Sequence, residues 1–454
     1  MNIDLAIIGA GPAGLAAAVE ARAHGLSVLL LDEGTAPGGR IWQAMERREA
    51  KDADDRIALA TIAAFRASGT DYHPTATVWA IEPNEAGATV FWSEAGAASS
   101  AQAKRVLLAT GTTERPVPIP GWTLPGVMTV GAAQIALKTS GLVPEGKTWI
   151  AGQGPLLLLY AVQALRAGGR IAGILDLSAP GGTRRALPHL PAALRAASLL
   201  ARGLMWKRQI FRAGIPWIRA EALRAEGNGQ LETIAFRTAT GERREQADLL
   251  LLHDGVVPSV QATRALGLAH DWDEAQRCFR PRVDAWGVSS IPAVSVAGDG
   301  AGIAGWQAAL ISGRIAALGI ASATGHLAPA ARDTAAKPLH AALAQAKAMR
   351  PFLDALYAPR APVLDDATIV CRCEEITAGR VREAVALGCL GLNQLKAFTR
   401  CGMGPCQSRM CAATAAEVMA AARNVPLEQI EPHRLRFPTK PLTLGELAAL
   451  DTDA

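Results

Sequence analysis

Much that would mark a membrane, secreted or nucleic-acid-binding protein is missing from this chain of 454 residues. No apolar run reaches the roughly 18 residues that a membrane-spanning helix needs. The first residues, Met-Asn-Ile-Asp-Leu-Ala-Ile-Ile-Gly, carry no basic stretch. They enter a strand pattern at once, which predicts no signal peptide. The net charge is only +5 and is dispersed, too little to argue for nucleic acid as a partner. No short repeat recurs that would mark a solenoid. What remains is an ordinary globular composition, with 50% hydrophobic and 19% charged residues. Length alone predicts about three domains, long enough for several sizeable cores.

Cysteine is also sparse, at seven residues, and its placement is informative. Cys278 stands alone, whereas Cys371, Cys373, Cys389, Cys401, Cys406 and Cys411 share one C-terminal window. A disulfide framework would be spread along the chain and would need an oxidising compartment. A tight cluster predicts metal binding in a reducing cytoplasm. Thiolates in groups of four suit zinc or an iron–sulfur cluster. The Cys371-Arg-Cys373 pair is tighter than structural zinc sites normally use, and the window holds no histidine. A 2Fe–2S cluster is the better fit; zinc and metal-free buried thiols are the alternatives.

The N-terminus reads as a βαβ unit. A short apolar run leads into Gly9-x-Gly11-x-x-Gly14, an Ala-rich helical pattern follows, and a second apolar run ends in Asp32, 23 residues after Gly9. The first glycine permits a tight turn, the second lets backbone approach a diphosphate, and the third lets helix and strand pack closely. The helix N-terminus offers free N–H groups and positive dipole to that diphosphate. An acid at the end of the second strand suits the ribose hydroxyls. Glycines alone are weak evidence; strand, glycines, helix, strand and acid in register are strong. Residues 77–81 and 89–92 read as strands, and 105–111 as a buried strand ending in a glycine turn. Residues 293–298 form another strand, followed by the turn Asp299-Gly-Ala-Gly and a helix, for which Asp299 is also a candidate N-cap.

A second βαβ unit begins near Lys147. Its Gly152-x-Gly154-Pro-Leu-Leu157 keeps two glycines and replaces the third by leucine. Asp176, 24 residues after Gly152, suits a ribose diol and would repel a 2′-phosphate. Two readings stay open there: a retained adenine nucleotide, ATP or NAD, and an empty structural relic. Residues 184–219 are basic and amphipathic, as in a solvated helix face or a subunit contact. His73, His189 and His253 read as isolated, and no acid–base pair or nucleophile is evident around the N-terminal dinucleotide fold.

Leu108-Ala-Thr110-Gly111 and Ser295-Val-Ala-Gly298-Asp299-Gly300 resemble two elements of the two-dinucleotide-domain flavoproteins, and Gly38-Gly39-Arg40 resembles the loop that lies along their FAD. This likeness implies FAD contacts at Gly9, Gly11, Gly14, Asp32 and Glu33. It also implies contacts at Gly39, Arg40, Val78, Thr110, Gly111, Gly298 and Asp299. Disulfide reductases of this fold carry a Cys pair facing the flavin, and none exists here before Cys278. The cysteine window is similar to the bacterioferritin-associated-ferredoxin-like 2Fe–2S domain. Cys373 and Cys406 are separated by 32 residues, Cys406 and Cys411 by four, and Cys373 and Cys401 by 27. That pattern implies Cys371, Cys373, Cys406 and Cys411 as ligands, Cys401 as a nearby extra thiol and Cys389 as a buried helix residue.

Over nearly its full length the chain resembles the α subunit of bacterial amine-oxidising dehydrogenases. These include octopine and nopaline oxidases, hydrogen cyanide synthase and dye-linked proline and hydroxyproline dehydrogenases, with the sarcosine oxidase α subunit related. Residues 109–118, 121–128, 255–259 and 401–406 carry the likeness. It implies an α/β, Rossmann-like two-dinucleotide-domain flavoprotein with a small C-terminal 2Fe–2S domain. The expected segments are 1–145 and 286–325 for the FAD domain and 146–285 for the second nucleotide domain. A helical linker follows at 326–362, the cluster domain at 363–430 and an extended tail at 431–454. The implied function is electron transfer within a heteromeric dehydrogenase that oxidises the C–N bond of a secondary amine such as an opine or (hydroxy)proline. Oxidation would take place on an FAD-containing β subunit. Further implied components are an FMN at the subunit interface and a small γ subunit. Competing readings are a self-contained NADH-dependent ferredoxin-type reductase and a non-catalytic nucleotide-binding scaffold.

Overall fold

A computed structural model describes residues 2–450; Met1 and residues 451–454, the end of the expected tail, lie outside it. The first sheet is built on the strands Asn2–Ile8, Val28–Asp32 and Ala97–Leu108, which run parallel with Asn2–Ile8 in the middle. Asp71–Pro74 extends it at one edge, and Val294–Val296 joins the end of Ala97–Leu108. The strands Thr77–Asn84 and Gly87–Glu94 complete it as an antiparallel meander. Leu5, Ile7, Leu30 and Leu107 are fully or almost fully buried. Such near-continuous apolar runs are what a parallel strand covered on both faces requires.

Two helices made mostly of small residues cover one face. Pro12–Ala23 starts with proline at its first turn, where the missing N–H costs nothing. It packs along Trp306–Ala323 so closely that a Cβ at Gly313 would lie 2.1 Å from the Ala13 carbonyl oxygen. The alanines are therefore a packing requirement as well as a helix preference.

The second sheet is wholly parallel, in the order Trp217–Arg219, Gly173–Asp176, Thr148–Gln153, Leu249–Asp254, Val127–Thr129. A three-stranded antiparallel sheet of Ala222–Glu226, Thr233–Thr238 and Gly241–Gln246 sits beside it. Within the basic stretch the helix Ala197–Arg212 buries Ile210 and exposes Leu204 and Phe211. No helix among the described residues is long and apolar enough to cross a membrane.

The helices Pro329–Lys347 and Arg350–Leu356 lead to the C-terminal unit. That unit has a hairpin of Ile369–Cys371 with Ile376–Thr377 and the helices Ala378–Ala386, Leu392–Thr399 and Ala412–Arg423. Val370, Val381, Leu395, Ala415 and Met419 form a core of its own. Cys389 is fully buried, as expected, but it sits in the turn between two helices instead of within one. The cause is local: its N–H bonds back to the Ala384 carbonyl, and Gly388, at φ +94°, ends the first helix.

Candidate flavin cradle and thiol cluster

The first site gathers at the carboxyl ends of four strands of the first sheet. Gly9 has φ +109°, and a Cβ there would lie 2.5 Å from the Ala109 carbonyl oxygen. A Cβ at Gly14 would lie 1.9 Å from the Gly9 carbonyl oxygen, so the loop closes directly onto its helix. Gly11, by contrast, faces open space, as a backbone approached by a diphosphate must. Gly38 donates to the Ala10 carbonyl at 2.8 Å, which lays Gly39 against Gly11. The late turn arrives from the other side: a Cβ at Gly300 would lie 3.5 Å from Gly111 N and from Thr110 Oγ1. Residues from positions 9 to 300 thus line one cradle, and Gln43 Oε1, four residues after Gly39, is buried without a protein partner. These features fit FAD.

The acids of the cradle divide the work. Asp32 Oδ2 accepts the Ala10 N–H and Oδ1 the Gly34 N–H, each at 2.6 Å. Burial pushes its pKa up, against the pull of those two donors. Glu33, next in sequence, is exposed and meets Lys440 Nζ at 2.6 Å. Asp299 Oδ1 accepts the N–H groups of Ala304 (2.8 Å) and Gly305 (2.9 Å), just ahead of the Trp306–Ala323 helix. Its pKa is also raised by burial. Arg40 is exposed at the rim, and Val78 is half-buried on its strand.

In the second domain Gly152, at φ +137°, lies against the His253 backbone, and Gly154 caps the helix Pro155–Arg166. Leu157, in place of the third glycine, is buried in the core. Asp176 accepts from Ser178 N–H at 2.9 Å and Trp217 Nε1 at 3.3 Å. Burial alone would raise its pKa; these bonds and Arg219 lower it overall. A cavity of about 190 Å³ opens here, lined by Gly152, Gly154, Asp176, Lys207, Trp217 and Arg219. The end of the linker closes one side: Leu356 and Tyr357 line the cavity, and Gln153 Nε2 donates to the Ala358 carbonyl at 3.1 Å. A larger cavity, about 700 Å³, lies where this domain meets the cluster unit, beside Arg115, Asp254, Arg360 and Glu417.

The thiols form two tiers. Cys371, Cys401 and Cys411 are buried, and their Sγ atoms lie within 4.8 Å of one another. Cys373 is exposed and lies beside the half-buried Cys406. Gly404 permits that approach, since a Cβ there would lie 2.2 Å from Cys373 Cβ. Hydrogen bonds from Cys401 and then Cys411 hold the Cys371 thiol far below its ordinary pKa, while Cys401 and Cys411 are raised. Three buried thiols converging in this way suit a soft metal ion. The backbone N–H of Gly402 points at Cys371.

The tail joins the two sites. Thr439 N–H donates to the Trp79 carbonyl at 2.9 Å, and Lys440 pairs with Glu33 on the flavin side. Arg409 donates to the Thr439 carbonyl at 2.7 Å, and Gln407 to the Pro438 carbonyl at 3.3 Å, on the cluster side. On the opposite flank Trp122 Nε1 donates to the Ile369 carbonyl at 2.7 Å.

Sequence reading missed two pairs. His253 is buried and its Nδ1 lies 2.6 Å from Glu114 Oε1, whose Oε2 accepts Gly131 N–H at 2.9 Å. The residues are 139 positions apart, so no local pattern reveals them. His73 likewise bonds Glu94, at 2.7 Å.

Comparison with known proteins agrees with the two-site architecture. Residues 3–313 match the pyridine nucleotide-disulphide oxidoreductase family, and 369–421 the BFD-like [2Fe-2S] binding domain. The chain is 44% identical to an opine oxidase subunit of Rhizobium meliloti, over 98% of this chain and 87% of that one. It is 33% identical to hydrogen cyanide synthase subunit HcnB of Pseudomonas aeruginosa, over 100% of both. Among solved structures, L-proline dehydrogenase from P. horikoshii superposes with TM-score 0.72 at 20% identity, covering 98% of this chain and 79% of that one. That likeness concerns the fold. The chain belongs to the pyridine nucleotide-disulphide oxidoreductase family, in the branch of HcnB and its opine oxidase counterpart, and is an FAD-dependent oxidoreductase with a BFD-like 2Fe–2S domain.

Proposed function

We propose that this chain is the electron-transferring α subunit of a heteromeric dehydrogenase acting on the C–N bond of a secondary amine, an opine or (hydroxy)proline being the substrate class. The observation that carries it is the tail, which bonds at once to the cluster loop through Arg409 and to the flavin domain through Trp79 and Glu33. A strap of this kind would hold a cluster-bearing loop to the flavin domain. FAD supplies two-electron chemistry and the cluster one-electron chemistry. Substrate oxidation belongs to an FAD-containing β subunit in this reading, supported by the relatives' being named as subunits. By the same likeness an FMN would lie where the subunits meet.

For FAD, Gly9, Gly11 and Gly14 would receive the diphosphate. Glu33 would take the ribose, because Asp32 already holds two backbone donors. Thr110, Gly111 and Asp299 would face the remainder. In the second domain Lys207, Arg219 and Asp176 suit an adenine nucleotide retained for structure. Leu157 and the crossing at Leu356–Ala358 argue against a hydride-donating NAD, and so against a self-contained NADH-dependent reductase. The test is to co-purify the native complex, identify its flavins and partner chains, and assay opines and imino acids with an artificial dye. Amine must bleach the flavin when the partner is present. Bleaching of the isolated chain by NADH would overturn the proposal.

A further inference from the structure

A 2Fe–2S cluster uses four protein thiolates, two on each iron. The structure supplies five. A tetrahedral ion with metal–sulfur bonds of about 2.3 Å sets its thiolates roughly 3.8 Å apart. Cys373, exposed, and Cys406, half-buried, face each other at the outer edge as the candidates for one such pair. The inner position is over-supplied: Cys371, Cys401 and Cys411 all lie within 4.8 Å of one another, all three buried. Any two of them meet the spacing after small side-chain adjustments.

The three come from different parts of the unit. Cys371 ends the hairpin strand Ile369–Cys371, Cys401 follows the helix Leu392–Thr399, and Cys411 precedes the helix Ala412–Arg423. Arg400, at φ +64°, turns the chain directly before Cys401. Gly402, at φ +87°, turns it directly after and could carry no Cβ without meeting His433 Nε2 at 2.8 Å. Cys401 N–H also donates to Thr399 Oγ1 at 3.2 Å. The backbone is thus committed on both sides to presenting this side chain inward.

We propose that Cys401 is a reserve ligand of the inner iron, able to replace Cys371 or Cys411 when either is lost. The proposal rests on the 2Fe–2S assignment. Ligation by Cys401 costs one proton, released from its thiol to solvent as the sulfur–iron bond forms, with no change in the oxidation state of either iron.

The test uses the full-length chain, co-expressed with its partner. Iron, acid-labile sulfide, bound flavin and the electron paramagnetic resonance spectrum of the dithionite-reduced cluster are measured for each variant. The wild type is expected to contain iron and sulfide; a wild type without them would overturn the cluster assignment, and the proposal with it. Cys401→Ala should keep full iron and an unchanged spectrum. Cys411→Ala should keep its iron with shifted g-values, because a different thiolate now binds. The Cys401→Ala/Cys411→Ala double variant should lose iron and keep its flavin. Cys406→Ala should also lose iron, since no spare thiol serves the outer position. Loss of iron in Cys411→Ala to the level of the double variant would overturn the proposal. So would loss in Cys401→Ala alone, or full iron in the double variant. If Cys411→Ala lost flavin as well, Cys371→Ala would put the same question from the opposite side of the site, with the same expected outcome.

Discussion

At the residue scale, two neighbouring acids show what sequence can and cannot separate. Asp32 and Glu33 both stand where a ribose-binding acid belongs, and both are legible as candidates. Only the fold shows that Asp32 ends its strand with both oxygens turned onto the glycine loop, whereas Glu33 points outward. Asp32→Ala leaves two backbone donors without acceptors, at about 1–3 kcal/mol each. It should lower the melting temperature of flavin-free protein. Glu33→Gln should leave that melting temperature unchanged and weaken FAD binding. Equal effects of both substitutions on the apo-protein would contradict the division. Gly14→Val is a sharper case. Its Cβ would sit 1.9 Å from the Gly9 carbonyl oxygen, so the loop must open, and flavin content per chain should collapse. The Gly9, Gly11, Gly14 spacing announced this because its cause is local. The Glu114–His253 pair was not legible, because two distant strands create it.

At the scale of elements, the hairpin His270–Asp273 with Cys278–Pro281 carries a pH dependence. His270 Nδ1 lies 2.7 Å from the Leu268 carbonyl oxygen, and Nε2 lies 2.9 Å from Thr263 Oγ1. Burial first, and nearby Arg264 second, push its pKa down from 6.5 to about 4. The folded state therefore holds it neutral where the unfolded chain is already protonated. Its contribution is neutral above pH 6.5, destabilises progressively as pH falls towards about 4, and is constant below. Denaturant unfolding across that window should show the loss, and His270→Gln should flatten it. An unchanged slope in the variant would contradict the assignment.

The tail is the other element with a consequence. Truncation after Arg436 removes the bonds at Trp79, Glu33, Gln407 and Arg409. Flavin and iron should both remain, but a chelator should strip iron faster from the loosened outer edge. An unchanged rate would show that the strap holds nothing in place. The tail was expected to be extended throughout; instead Leu444–Ala448 is a short helix, because Thr443 and Glu446 form a capping box at its start. The tail's destination lay in contacts hundreds of residues distant.

At the scale of the whole molecule, fold class and cofactor pairing were legible because each rests on a compact signature. Two βαβ units, a glycine turn after each buried strand and six cysteines in one window are all short-range patterns. How the units dock was not legible, since it depends on single long-range bonds such as Trp122 to Ile369 and the ion pair of Arg277 with Glu417 at 3.5 Å. The fifth thiol was expected near the cluster, but its place between two expected ligands was not legible, for the same reason. Spacing set Cys401 apart from the ligands, and only the folded loop brings it beside Cys371 and Cys411.

The central claim is that one polypeptide holds both a flavin and an iron–sulfur centre. Anaerobic purification of the full-length chain, followed by flavin, iron and sulfide analysis and a visible spectrum, tests it most directly. A coloured protein with FAD, iron and sulfide, bleached in both flavin and charge-transfer bands by dithionite, is the expected result. A colourless protein free of iron would contradict it.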